Sequence, residues 1–97
     1  MTTLLYAGRI GDDLERIRLH LSGHGVNDVD ARIDEIFDAM QLLTLHPLIG
    51  RSAARDRREL VIGQGSRGYV ALYAYDPIDD VAAVLALRAQ REAGFAD

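Results

Sequence analysis

Along the first half of this 97-residue chain apolar side chains return at helical intervals, and in the second half they alternate or run together. Leu4 to Ala7 is a short apolar piece behind Thr2 and Thr3, compatible with an edge strand and closed by Gly8 and Gly11. Asp12 and Glu15 then carry the acidic spacing of a helix start, and Leu14, Ile17 and Leu21 recur at i, i+3 and i+7. The spacing predicts a first amphipathic helix. The segment Gly23 to Asn27 reads GHGVN, and its glycines and Asn tolerate left-handed backbone angles, so the chain reverses there at little cost. Asp28 is placed to cap a second helix. In it Val29, Ile33, Ile36, Phe37, Met40, Leu43 and Leu45 keep broadly helical spacing, with Asp30, Asp34, Glu35 and Asp38 between them. Pro47 cannot continue that helix, which is expected to end at His46. Two helices joined by about five residues pack antiparallel as a hairpin.

From Arg57 the period changes. Glu59-Leu60-Val61-Ile62 is short and β-branched, and Gly63, Gly65 and Gly68 follow as a turn. Tyr69 to Tyr75 puts Tyr69, Ala71, Tyr73 and Tyr75 on one face and Val70, Leu72 and Ala74 on the other. Neither face is fully wetted, which is the mark of a central strand. Asp76-Pro77-Ile78-Asp79-Asp80 forms a turn, and Val81 to Leu87 is the next strand, antiparallel to its predecessor. The expected order is β-α-α-β-β-β in one α+β domain over residues 1–97, a helical hairpin packed on a small curved antiparallel sheet. No internal repeat or linker interrupts it.

Composition narrows the function classes. A chain of this length fits one modest core. With no cysteine, disulfides and thiolate metal sites are excluded, which suits a reducing cytoplasm. The apolar run Val81 to Leu87 falls far short of the roughly 20 residues needed to cross a bilayer, and no signal-peptide pattern opens the chain. Nothing calls for a cofactor. Residues 1–50 hold four Arg against eight acids, residues 51–67 hold five against two, and residues 68–97 hold two against five, summing to the net −4. An acidic protein with one basic band is poorly suited to direct nucleic-acid binding, which relies on many cationic contacts. The band can still hold one acidic partner.

The blocks HPLIGR from His46, REL from Arg58, GYVALYAY from Gly68 and VLALRAQREAGF from Val84, in that order, resemble the RelE/ParE superfamily of bacterial toxins, on its ParE-like side. The likeness covers nearly the whole chain, and its specificity lies in the order and spacing of short motifs. It implies a toxin of a type II toxin-antitoxin system, neutralised by a co-expressed, ParD-like antitoxin that wraps its surface. The target is either DNA gyrase, poisoned by binding, or messenger RNA, cut on the ribosome by RelE-like members. A third reading is a non-toxic binding module of the same fold.

The nuclease reading needs a base, an acid and cations around a scissile phosphate. Arg58, Arg67, Tyr69, Tyr73 and Arg88 are the candidates, with Arg91 and Tyr75 beside them. Unperturbed tyrosine, with a pKa near 10, is a reluctant base. By the resemblance, the family's closing pattern commonly carries His where this chain has Ala89 and an aromatic hydroxyl where it has Phe95. The gyrase reading asks only for a surface a large partner can grip. Its partner-binding candidates are Arg58, Arg67, Tyr75, Arg88, Gln90, Arg91 and Phe95.

Plainer readings compete with these. The tyrosines suit sheet packing, His46 suits a helix C-terminus, and the Arg51 to Arg58 cluster suits a solvated loop with surface ion pairs. His20 and His24 lack a third ligand at useful spacing, so no metal site is expected. The glycines of 63–68 have no helix start behind them to make a phosphate loop.

Overall fold

The computed structural model describes residues 1–63 and 68–90. Strand β1 spans Thr3–Tyr6, helix α1 Ile10–Gly23 and helix α2 Val29–Met40, followed by a 3₁₀ turn over Gln41–Thr44. Strands β2 (Arg51–Ala53), β3 (Arg57–Ile62), β4 (Tyr69–Asp76) and β5 (Val81–Ala89) complete the described chain. They form a five-stranded sheet in the order β1-β5-β4-β3-β2. The expected α+β architecture is present, with the helical hairpin against the sheet and β4 in a central position.

Three local differences carry physical information. First, β1 joins β5 in parallel, Thr3 opposite Val81 and Tyr6 opposite Val84, so the sheet is mixed. Alternation within a strand says nothing about its direction relative to a strand far along the chain. Second, the stretch expected as a loop contains β2, paired antiparallel with β3. Arg55 and Asp56 both take left-handed angles, φ 62° and 59°, the geometry of a tight hairpin turn that matches strand twist. Third, α1 begins at Ile10, before Asp12, with no side-chain cap. Asp28 does cap α2, accepting from the Ala31 amide.

One core cluster joins Ile10, Ile17 and Leu21 of α1, Ile33, Ile36 and Met40 of α2, Leu43, and Leu60, Ile62, Tyr69, Ala71, Tyr73, Ala82, Val84 and Leu87 of the sheet. The β4–β5 register explains how β5 serves that core. Leu72 faces Ala86 while Tyr73 faces Val84, so Leu85 is an extra, bulged residue. The bulge resets the alternation and lets Ala82, Val84 and Leu87 all face the helices. Among the described residues no helix is long and apolar enough to cross a membrane.

Candidate functional site

The HPLIGR segment leaves the 3₁₀ turn because Pro47 has no amide to continue it. Helical spacing had included Leu45, but with α2 ended at Met40 this side chain is 63% exposed. Leu48 and Ile49 follow at 59% and 52%. These apolar side chains stand in water because the backbone beneath them is tied down. The Tyr73 hydroxyl, on a fully buried residue, donates to the Pro47 carbonyl at 2.8 Å and accepts from the Gly50 amide at 2.9 Å. The Arg58 Nη1 donates to the Gly50 carbonyl at 2.8 Å and to Leu48 at 3.3 Å. Gly50 is required by close approach: a Cβ there would lie 2.7 Å from the Tyr73 ring and 2.8 Å from the Glu59 carbonyl oxygen.

Leu45, His46, Pro47, Leu48, Ile49 and Tyr75 line a groove of about 550 Å³. Its Tyr75 wall is held from the other side. The Tyr75 hydroxyl donates to Asp80 Oδ1 at 2.8 Å, and the Thr2 hydroxyl reaches the same oxygen at 2.6 Å. The Thr2 and Tyr75 hydroxyls keep the Asp80 carboxyl below its ordinary pKa, and that carboxylate raises the Tyr75 phenol above its own. The wall residue is thus fixed by Thr2, just before β1, and by Asp80 in the β4–β5 turn.

At the far end of β5 the sheet edge is closed by side chains. Strand β1 runs only as far as the Ala7 amide, which meets the Val84 carbonyl. Beyond it Asp13, buried on α1, accepts the Leu87 amide at 2.9 Å, and Arg16 Nη2 donates to the Leu87 carbonyl at 2.9 Å. Arg16 Nη1 also binds the other Asp13 oxygen at 2.9 Å, and Arg9 Nε lies 3.4 Å from the carboxylate. Burial pushes the Asp13 carboxyl up, but the Leu87 amide and then the two arginines outweigh it and leave the pKa below its usual value. The pair takes the place of the strand that β1 no longer supplies.

The sequence-derived candidates therefore fall in separate places. Tyr69 and Tyr73 are core residues. Arg58 lies opposite Tyr73, on the helix side of the sheet, beside the HPLIGR backbone. Arg88 lies opposite Val70, three residues from Tyr73 and on the other face, about 10 Å along the strand. Its Nη1 donates to the Ala89 and Gln90 carbonyls. Gln90 is exposed, its amide bonded to the Gly68 carbonyl at 2.9 Å. Arg67, Arg91 and Phe95 lie outside the described residues. Arg51 makes the expected surface ion pair, at 3.1 Å from Glu59. His20 and His24 stack at 4.2 Å, and no group of three potential metal ligands occurs among the described residues.

Sequence reasoning missed Asp13, Asp80 and the outward apolar trio Leu45, Leu48 and Ile49. Asp13 had a signal, since it sits between Ile10 and Ile17 on the apolar stripe of α1. A carboxylate in that position has to be paired if buried. The trio had a weaker one, apolar residues on both sides of a helix-ending proline.

Comparison with known proteins agrees with this architecture. The solved chromosomal ParDE TA system from P. aeruginosa superposes with a TM-score of 0.73 at 17% identity, covering 92% of this chain and 96% of that one, a likeness of fold. No curated protein sequence matches the chain. The family model described as ParE toxin of type II toxin-antitoxin system, parDE, matches residues 4–94, and with nearly the whole chain covered the protein belongs to that family.

Proposed function

We propose that the protein acts by binding DNA gyrase and inhibiting it, and that a ParD-like antitoxin neutralises it. The observation that carries this reading is the dispersal of the candidate nuclease residues. Tyr73 holds a loop with its only hydroxyl, Tyr69 is buried, and Arg58 and Arg88 occupy opposite faces of the sheet. General acid-base catalysis needs its groups within hydrogen-bond reach of one reacting centre. Inhibition by binding needs no such convergence. Ala89, where the superfamily commonly has His, is packed against the core and brings no proton-transfer group. The gripping surface on this reading is the end of β5, with Arg88 and Gln90 leading into Arg91 and Phe95.

Purified protein should abolish gyrase supercoiling, and the antitoxin encoded beside it should restore it. Removing residues 91–97, which follow β5, should abolish inhibition while the protein still folds. Messenger RNA cleavage on translating ribosomes, with supercoiling unaffected, would refute the reading.

A further inference from the structure

The groove beside the HPLIGR segment has two properties that a merely exposed loop lacks. It is preorganised: Pro47 and Gly50 are tied to the Tyr73 hydroxyl, Leu48 and Gly50 to Arg58, the Ile49 amide to the His46 carbonyl at 3.1 Å, and Tyr75 to Asp80. Leu45, Leu48 and Ile49 are therefore held outward, and turning them inward would break these bonds, of which the Gly50–Tyr73 bond is buried. A rigid apolar surface of this kind loses little entropy on binding.

The second property is charge. Arg58 meets the groove segment through carbonyl oxygens alone, and among the described residues no carboxylate pairs with it. Its neighbour on β2, Arg51, is by contrast paired with Glu59. Arg55 and Arg57 lie in the same basic band, within a protein whose net charge is −4. A local cation next to an apolar groove selects a segment that carries apolar side chains with a carboxylate beside them, and it disfavours a basic or purely apolar one.

We propose that this groove is the docking site of the antitoxin, and that it takes an antitoxin segment whose apolar side chains lie against Leu45, Leu48, Ile49 and Tyr75 while an adjacent Asp or Glu pairs with Arg58. The proposal rests on the toxin–antitoxin reading above and specifies where the partner sits. The surface at the end of β5 is left to the target, so the two functions separate by position.

The test uses the full-length protein and the product of the adjacent antitoxin gene, with affinity measured by calorimetry and gyrase inhibition measured in parallel. Leu48→Ser with Ile49→Ser should weaken antitoxin binding by about 100-fold, from the transfer cost of two large apolar side chains. Supercoiling inhibition should persist, which also shows that the variant is folded. Arg58→Gln should weaken binding about tenfold and flatten its dependence on salt, a readout that loop distortion alone would not produce. Unchanged antitoxin affinity in the double variant overturns the proposal while the toxin–antitoxin reading stands. Loss of gyrase inhibition with antitoxin binding retained assigns the groove to the target and overturns it as well. If the unaltered protein does not bind the antitoxin at all, the toxin–antitoxin reading itself fails.

Discussion

Tyr73→Phe removes one oxygen from a fully buried ring and leaves the packing volume almost unchanged, so its effect isolates the hydroxyl's two hydrogen bonds. The Gly50 amide is buried and would lose its acceptor, which costs about 1–3 kcal/mol for an unsatisfied group. The Pro47 carbonyl is only half-buried and can regain water, so losing the 2.8 Å bond there costs about 0.5–1.5 kcal/mol. Together the loss is about 2–4 kcal/mol, a large share of the roughly 5–15 kcal/mol that a small domain possesses. Thermal unfolding should move down by about 10–25 °C for a chain of this size. Urea unfolding should show a lower midpoint with an unchanged slope, because the surface exposed on unfolding is the same. Amide exchange at Gly50 should also accelerate selectively, reporting that the HPLIGR backbone has been released. A loss below about 0.5 kcal/mol, with Gly50 exchange unchanged, would show that water or another donor replaces the hydroxyl and that Tyr73 does not organise the loop.

Gly50→Ala tests the same contact from the other side. The new methyl would press on the buried Tyr73 ring and the Glu59 backbone, so urea unfolding should show a loss of about 3 kcal/mol, and full stability would mean that the β3–loop spacing is freely adjustable. Asp13→Asn keeps an oxygen for the Leu87 amide but removes the charge that meets Arg16 and Arg9, costing about 1–3 kcal/mol at pH 7 in chemical denaturation. Because the folded pKa of Asp13 is lowered, its stabilisation is present above the unfolded carboxylate value near 3.9 and is lost as pH falls through the folded value. The gap between wild type and Asp13→Asn should therefore close in that acid range, and a gap that widens there would contradict the assignment.

How much was legible in the sequence differs between local and distant interactions. The helical hairpin was legible because its stripes repeat on one side of each helix, as in Ile33, Ile36 and Met40, and because GHGVN and Asp28 are local signals. The central position of β4 was legible from apolar residues on both of its faces. The site was less so. Tyr69, Tyr73, Arg58 and Arg88 read alike as candidates in one dimension, since residue type does not say which way a strand faces or what lies beneath it.

Periodicity and turn chemistry thus determined the element sequence, because those depend on neighbours within one or two turns of chain, and the order of short motifs along the chain carried the family resemblance. Only the tertiary structure decided the parallel entry of β1, the bulge at Leu85, the burial of Asp13 against Leu87 and the commitment of Tyr73 to the HPLIGR backbone. Each of those depends on a contact between groups at least 23 residues apart or on the extra residue one strand carries against its partner. Such contacts form where packing brings unsatisfied polar groups and apolar surface together, and no pattern local to either partner encodes the meeting.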